Sequence, residues 1–144
     1  MMTETIRRVP DHTDAAVNER IHREIEGRIA YYARNKHEID HRLAELDAEW
    51  DIERTLQAGS AILTVSGIVL SKLSRPRWLL LSAAVQGFFL QHVFQGWCPP
   101  LPILRRLGVR TAHEIEQERY ALKALRGDFA GASNAETVRE AVNA

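Results

Sequence analysis

The stretch TLQAGSAILTVSGIVLSKLSRPRWLLLSAAVQGFFLQHVFQGWCPP, residues 55–100, contains two long runs without charge. No Asp, Glu, Lys or Arg occurs in 55–71 or in 78–104, and the basic segment KLSRPR separates the two runs. A helix as long as the first run would extend about 26 Å, close to the ~30 Å hydrocarbon thickness of a bilayer. The sequence therefore predicts a short two-helix membrane hairpin over 55–104. A soluble hairpin buried inside a larger oligomer stays open as the alternative, because both runs are short for spanning.

The whole chain is electrically balanced. Of its 144 residues, 19 are Lys or Arg and 19 are Asp or Glu, so the formal net charge is zero. Phosphate binding usually requires a basic surplus on one face, so nucleic acid is not an expected partner. The single cysteine cannot form an intramolecular disulfide, and no apolar segment follows Arg7 and Arg8 as it would in a secretory signal.

Residues 14–54 are predicted to form an amphipathic or coiled-coil helical arm. Their apolar residues follow a heptad pattern that only Lys36 interrupts. The predicted seam residues are Ile25, Ile29, Tyr32, Ile39, Leu43, Leu46 and Trp50. In a parallel pair Arg42 would face Asp47 of the neighbouring copy, so the seam predicts a homo-oligomer. Two alternatives stay open: packing on the protein's own core, and a turn at Asn35 and Lys36 that would divide the arm into two helices.

Each run of the hairpin carries its own set of polar or small side chains. The first has a stripe of small residues, at spacings suited to close helix packing in lipid. These are Ser60, Thr64, Gly67 and Ser71. In the second run Gln91, His92 and Gln95 lie within about 100° of one another on a helical wheel. Polar side chains in membrane helices face a partner, a cavity or the headgroups, so these three are candidates for lining an apolar chamber.

The two ends of the chain are predicted to be ordered to different degrees. Residues 1–13 are expected to be flexible, 105–129 to form a C-terminal amphipathic helix, and 130–144 to be a loosely held tail with one short helix. Start and stop signals support these boundaries. They are Thr111 and Glu114 as a capping box, Gly127 as a C-cap, and Ser133 or Asn134 as a second N-cap. The predicted fold class is all-α: an arm helix, an apolar hairpin and a C-terminal amphipathic helix.

The segment GWCPPLPILRRLGVRT, residues 96–111, resembles the closing motif of the YgaP-type inner-membrane domain family. Members of that family are two-helix hairpins that end with a glycine, a variable residue, Cys-Pro and a segment closing in Leu-Gly-Val or Leu-Gly-Ile. The matching residues here are Gly96, Cys98, Pro99, Leu107, Gly108 and Val109. The resemblance covers roughly Trp50 to Thr111. It implies an inner-membrane hairpin of unknown function.

Some members of that family are fused to a rhodanese domain that moves sulfane sulfur, and this chain carries no such domain. The sequence also departs from the commoner pattern at Pro100 and Pro102. These prolines predict a stiffer and more extended exit from the second helix.

The segment HEIDH, His37 to His41, matches the H-E-x-x-H spacing of zinc metalloproteases. Because Ile39 belongs to the seam, the two histidines are predicted to project into water. A catalytic zinc also requires a third protein ligand. No metal site is therefore predicted.

Cys98 has two interpretations. Arg105 and Arg106 lie near it in sequence, and cationic neighbours favour a reactive thiolate. A cysteine beside an indole, here Trp97, is more often a small apolar filler. The structural role is predicted, and the reactive thiol stays open.

Three tryptophans flank the uncharged runs and are predicted to anchor the helices at the headgroup level. They are Trp50, Trp78 and Trp97. Basic residues lie on both sides of the hairpin and do not settle its orientation. Because a short loop crosses a membrane more easily than two charged arms, both termini are expected in the cytoplasm and the hairpin in a bacterial-type inner membrane.

These features predict a non-catalytic, membrane-associated oligomeric scaffold or anchor that tethers a partner protein complex to the membrane. The sequence contains no recognisable catalytic triad or phosphate loop. Expected partners are membrane lipid, further copies of the chain and a cytoplasmic protein. Two alternatives stay open: redox or sulfane-sulfur chemistry at Cys98, as the resemblance implies, and an oligomeric apolar chamber that holds lipid or quinone for a redox partner. No other cofactor is expected.

Overall fold

The computed structural model describes residues 6–144, and their regular secondary structure consists of helices joined by turns and short loops. The helices are α1 (Ala15–Arg34), α2 (Ile39–Ala48), α3 (Ile52–Leu73), α4 (Trp78–Gln95), α5 (Leu101–Arg106), α6 (Ala112–Arg126) and α7 (Ala135–Asn143). Short 3-10 turns occupy Pro10–His12 and Lys36–Glu38. No strand occurs among the described residues, so the predicted all-α class is confirmed.

The helices belong to two compact units that alternate along the chain. The hairpin unit combines residues 6–18 with Trp50–Thr111, and the arm unit combines Glu19–Glu49 with Ala112–Ala144. Each unit therefore consists of two segments that are distant in sequence. The five consecutive segments predicted from the sequence do not correspond to these units.

The predicted arm, 14–54, is divided at two places. The first break, at Asn35 and the following 3-10 turn, agrees with the two-helix alternative. The second, between α2 and α3, was not predicted because no proline or glycine marks it. Here the Asp51 carboxylate accepts a hydrogen bond from the Arg54 backbone N–H at 2.7 Å, and the Ile52 N–H donates to the Arg110 carbonyl at 2.8 Å. This capping favours a helix start over continuation of α2.

Small side chains allow α3 and α4 to pack closely as an antiparallel hairpin. The Ser82 hydroxyl donates to the Thr64 carbonyl at 2.9 Å, and the Gln86 amide donates to the Thr64 hydroxyl at 2.7 Å. Gly67 is buried, and a Cβ there would collide with Ser82 Oγ and lie 3.0 Å from the Trp78 carbonyl oxygen. Thr64 and Gly67 thus lie at the helix contact, as predicted. The other two stripe residues, Ser60 and Ser71, are half-buried and bond to their own helix.

The chain leaves α4 through a left-handed glycine and re-enters a helix almost at once. Gly96 has φ +79°, and a Cβ there would collide with the side chain and backbone of Arg8. Pro100 then adopts helical angles, φ −75° and ψ −17°, just before α5. The extended exit predicted from Pro100 and Pro102 is therefore wrong. Proline has no N–H to lose in the first turn of a helix, so both prolines start α5.

The N-terminal segment is packed where the sequence predicted flexibility. Val9 is 4% exposed and lies in a core cluster with Ile52, Leu56, Cys98 and Leu101. The prediction of a flexible 1–13 is thus wrong for 6–13, because an apolar side chain and Arg8 join the base of the hairpin. Residues 1–5 lie outside the described residues.

The arm unit has its own apolar core between α2 and α6. The core residues are Ile39, Leu43, Leu46, Ile115 and Leu122, each at most 7% exposed. Beside them the Glu118 carboxylate, 0% exposed, accepts hydrogen bonds from Arg28 Nε at 3.1 Å and Arg42 Nε at 2.9 Å. Two guanidinium groups thus neutralise one buried carboxylate.

The C-terminal part contains the capping signals that the sequence indicated. Gly127 follows α6 with φ +99°, and the Asn134 side chain caps α7 in a capping box with Thr137. The tail is not loosely held, however. Ala141 is 7% exposed, and Lys123 Nζ donates to the Val142 carbonyl at 2.8 Å, so α7 docks on α6. The predicted helix over 105–129 is also two helices, α5 and α6, separated by Leu107–Thr111.

Candidate functional site

A polar cluster lies at the base of the hairpin, where α3 begins and α4 ends. His92 is 0% exposed, and its Nε2 lies 3.2 Å from each carboxylate oxygen of Glu53. The Arg8 guanidinium contacts the same carboxylate at 3.1 Å and donates to the Val93 carbonyl at 2.8 Å. Phe89 stacks on the imidazole with ring centroids 6.5 Å apart. The N-terminal segment, α3 and α4 each contribute one charged or ionisable group.

Glu53 is the charge that organises this cluster. It precedes the uncharged run, and its side chain is 33% exposed. The hydrogen bond from His92, followed by the field of the imidazole and Arg8, holds the pKa of the Glu53 carboxyl below its usual range, although partial burial opposes this. Glu53 therefore accepts hydrogen bonds as a carboxylate.

The Cys98 thiol lies beside the His92 imidazole. Cys98 is 3% exposed and interacts with His92. His92 Nδ1 is buried and has no hydrogen-bond partner of normal geometry. Nε2 already contacts Glu53, so the imidazole lies between the Glu53 carboxylate and the Cys98 thiol. Glu53, His92 and Cys98 are called the thiol cluster below.

A largely apolar cavity of about 360 Å³ opens beside the thiol cluster. Cys98 forms part of its wall, and α3, α4 and the 98–104 segment form the rest. Its lining residues are Thr55, Leu56, Gly59, Ser60, Leu63, Val85, Phe88, Phe89, Cys98, Pro99, Pro100 and Leu104. The thiol, although nearly closed to solvent, therefore faces a half-open apolar space.

Arg105 fixes the segment that carries Cys98. It is 0% exposed and donates to Asn18 Oδ1 at 2.9 Å, Thr13 Oγ1 at 3.3 Å and the Val109 carbonyl at 3.2 Å. The sequence placed Arg105 and Arg106 together as cationic neighbours of Cys98, but the structure buries Arg105 against the N-terminal segment and exposes Arg106. Arg105 thus positions the polypeptide around the thiol.

The structure does not bring the predicted chamber residues together. His92 is buried in the thiol cluster, whereas Gln91 Nε2 contacts Gln95 Oε1 at 3.4 Å on the outer side of α4. A helical wheel shows that the three residues share one side of α4, but it does not show that Glu53 of α3 contacts His92. Burial within one chain takes His92 out of the predicted lining, and the oligomeric chamber itself stays a prediction.

The prediction that the two histidines of the HEIDH segment project into water agrees with the structure. The side chains of His37 and His41 are 78% and 80% exposed, and each contacts a glutamate on its own segment. Within residues 6–144, no group of three or more His, Cys, Asp or Glu side chains is arranged to hold a metal ion.

The predicted seam is used within the chain. Ile39, Leu43 and Leu46 pack against α6 in the arm-unit core, Ile25 is also buried, and Trp50 is 48% exposed beneath the Arg54 guanidinium. Ile29 and Tyr32 are half-buried. The proposed inter-chain pair also differs: Arg42 contacts Glu118, and Asp47 contacts Arg119. Packing on the protein's own core, the alternative interpretation, accounts for these contacts, and self-association stays a prediction.

Among the described residues, one helix, which ends at Leu73, is long and apolar enough to cross a membrane, with a mean hydropathy of 1.4 in its best window. Only 11% of that window is buried in the protein. Comparison with family models, with curated proteins and with solved structures finds no match for this chain. The resemblance to the YgaP-type family therefore stays a prediction.

Proposed function

We propose that the protein is a membrane anchor: the α3–α4 hairpin inserts into a bilayer, and the arm unit holds a cytoplasmic partner protein. The observation that carries this proposal is the apolar outer surface of the hairpin. Large apolar side chains on both helices point away from the protein. They include Ile62, Val65, Leu73, Leu80, Leu90 and Phe94, which are 57–79% exposed.

Exposure on this scale is unfavourable in water. Each Å² of apolar surface removed from water contributes about 25 cal/mol, and soluble monomers rarely leave large contiguous apolar patches uncovered. The outer faces of α3 and α4 carry no charge over 55–71 and 78–95 to offset this cost. Hydrocarbon is a better solvent for these faces than water is.

The helix lengths and the positions of the aromatic residues support the same proposal. The 22 residues of α3 and the 18 of α4 correspond to about 33 Å and 27 Å, near the ~30 Å of a bilayer core. Trp50, 48% exposed, lies just before α3, and Trp78, 38% exposed, begins α4 at the other end of the hairpin, so both indoles suit the headgroup region. In the proposed orientation the 74–77 connection crosses the membrane, and both termini remain in the cytoplasm.

The proposal requires no catalytic activity from the arm unit. Its core and its buried Glu118 stabilise a small helical body, and its surface carries charges of both signs, among them Arg23, Glu24 and Glu26. A charged, soluble body attached to an apolar hairpin is suited to tethering a protein at a membrane.

Flotation with vesicles of phosphatidylethanolamine and phosphatidylglycerol tests the anchor. The full chain is expected to float with the vesicles and to resist extraction by high salt. Ile62→Asp with Leu90→Asp should abolish flotation, because each aspartate in the middle part of a span costs about 2.5–3.5 kcal/mol. Both residues point outward, so their replacement leaves the core intact.

Val138→Asp is the matched control, since Val138 is an exposed apolar residue of α7 in the arm unit. This variant should float as well as the unchanged chain. Flotation of the double variant, or a monodisperse chain without detergent, would contradict membrane insertion.

A further inference from the structure

We propose that Cys98 is an S-acylation site: its thiol takes a long-chain acyl group from an acyl thioester, and the acyl chain lies in the adjoining apolar cavity. The inference does not depend on insertion of the hairpin, because the thiol cluster and the cavity lie within the hairpin unit itself. It adds a covalent lipid to a protein proposed above only as an anchor.

The cavity has the size and chemistry of an apolar ligand site. Its volume of about 360 Å³ lies within the ~300–1,000 Å³ usual for small-molecule sites. The walls beyond Cys98 come from side chains such as Leu56, Leu63, Val85 and Phe88. No Asp, Glu, Lys or Arg lines the space. A hydrocarbon chain matches this lining better than a polar or charged substrate does.

His92 is the second, independent feature that indicates chemistry at this thiol. The ring is 0% exposed, and within the described residues Nδ1 has no hydrogen-bond partner of normal geometry, the Cys98 thiol being its neighbour. A buried ring nitrogen without a partner is unusual, because buried polar atoms are nearly always bonded. The Glu53 carboxylate contacts Nε2, so Nδ1 is the ring nitrogen left for the neighbouring thiol. A base next to a thiol, itself oriented by a carboxylate, is the arrangement that activates cysteine nucleophiles.

The reaction is a thioester exchange. Cys98 Sγ attacks the carbonyl carbon of the acyl thioester while His92 Nδ1 accepts the thiol proton. The tetrahedral adduct collapses by breaking the bond between the carbonyl carbon and the sulfur of the donor. The proton passes from His92 to the departing thiolate, so one thioester and one thiol give one new thioester and one new thiol. Glu53 keeps the imidazole oriented and balances its transient positive charge.

The test uses the purified full chain in detergent micelles with palmitoyl-coenzyme A as the donor. Intact-mass spectrometry should detect one added palmitoyl group, which hydroxylamine removes. Cys98→Ser should abolish the adduct. His92→Asn should lower the rate of adduct formation by about 100-fold, the usual contribution of a general base, and Glu53→Gln by a smaller factor.

The cavity is tested separately with two glycine variants. Gly59 lines the cavity, and a Cβ there meets nothing within 4 Å, so the longer side chain of Gly59→Leu should extend into the space. Palmitoyl transfer should then fall by about tenfold. Gly87→Leu is the matched control, because Gly87 is equally open but lies outside the cavity.

Several results would overturn the proposal. They are the absence of an adduct on the unchanged chain, an adduct on Cys98→Ser, and equal rates for His92→Asn and the unchanged chain. Two further results would show that the acyl chain does not bind in the cavity, which would also overturn the proposal. They are acetyl transfer as fast as palmitoyl transfer, and equal effects of Gly59→Leu and Gly87→Leu. Flotation is scored independently, so failure of the anchor and failure of acylation are distinguishable.

Discussion

Each unit contains a buried charged residue that bonds to a distant segment of the chain: Arg105 in the hairpin unit and Glu118 in the arm unit. Glu118 lies on the apolar face of α6, between Ile115 and Leu122, where a helix pattern would place a hydrophobic side chain. That interruption of the pattern is a signal the sequence offered and the sequence analysis missed. Arg28 and Arg42, which neutralise Glu118, come from distant parts of the chain, and nothing local identifies them as its partners.

Replacing Glu118 should therefore destabilise the arm unit strongly. Glu118→Ala removes the buried carboxylate that Arg28 and Arg42 share and leaves them only their more exposed glutamate partners, and breaking a buried ion pair costs about 3 kcal/mol. Glu116→Ala is the control, because its carboxylate is 44% exposed and pairs with Arg119 at the surface. Denaturant unfolding should separate the two variants by about 2 kcal/mol or more. Equal midpoints would show that the buried pair contributes nothing.

The carboxylate of Glu53 predicts a pH dependence for the hairpin unit. Its folded pKa lies below the unfolded value, so its stabilising effect is complete above about pH 4.3 and is lost as the pH falls through the folded pKa. Glu53→Gln should be less stable than the unchanged chain by about 1 kcal/mol at pH 7. The difference should vanish in acid. Thermal unfolding of both proteins in detergent at pH 3 and pH 7 measures it, and a difference that persists at pH 3 would contradict the assignment.

Among the helices, the α3–α4 contact is the part that the sequence predicted best. Small residues at helical spacing identify a close-packing face directly, and Thr64 and Gly67 do lie at the contact. The breaks at Asp51 and around α5 were missed because they depend on a cap and on prolines that can either stop or start a helix. The residues within a helix identify its packing face, whereas the positions of its ends depend on contacts with distant residues, such as that of the Ile52 N–H with the Arg110 carbonyl.

Two alanine substitutions should have opposite effects on this hairpin. Gly67→Ala places a methyl group against Ser82 and the Trp78 carbonyl, which forces the helices apart and costs about 1–3 kcal/mol. Gly87→Ala meets nothing within 4 Å and should gain about 0.5–1 kcal/mol of helix propensity. Thermal unfolding in detergent should give shifts of opposite sign. A stabilising Gly67→Ala would mean that the two helices are not in tight contact there.

At the scale of the whole molecule, the sequence predicted which segments are apolar and which are charged, but not which segments belong together. The hairpin unit takes Val9 and Arg8 from the N-terminus, and the arm unit takes α6 and α7 from the C-terminus. Such pairings require contacts between residues far apart in sequence, for example Asn18 with Arg105. Periodicity and composition describe neighbours along the chain and carry no record of these contacts.

The alternation of the two units also imposes an order on their formation during translation. Chains fold as they emerge, and the hairpin unit is complete once Thr111 has been made. At that moment Arg28 and Arg42 already exist, but Glu118 and the apolar face of α6 do not. In the proposed anchor the hairpin unit is therefore complete while the first half of the arm unit still lacks its partner, and the arm unit is the last part to form.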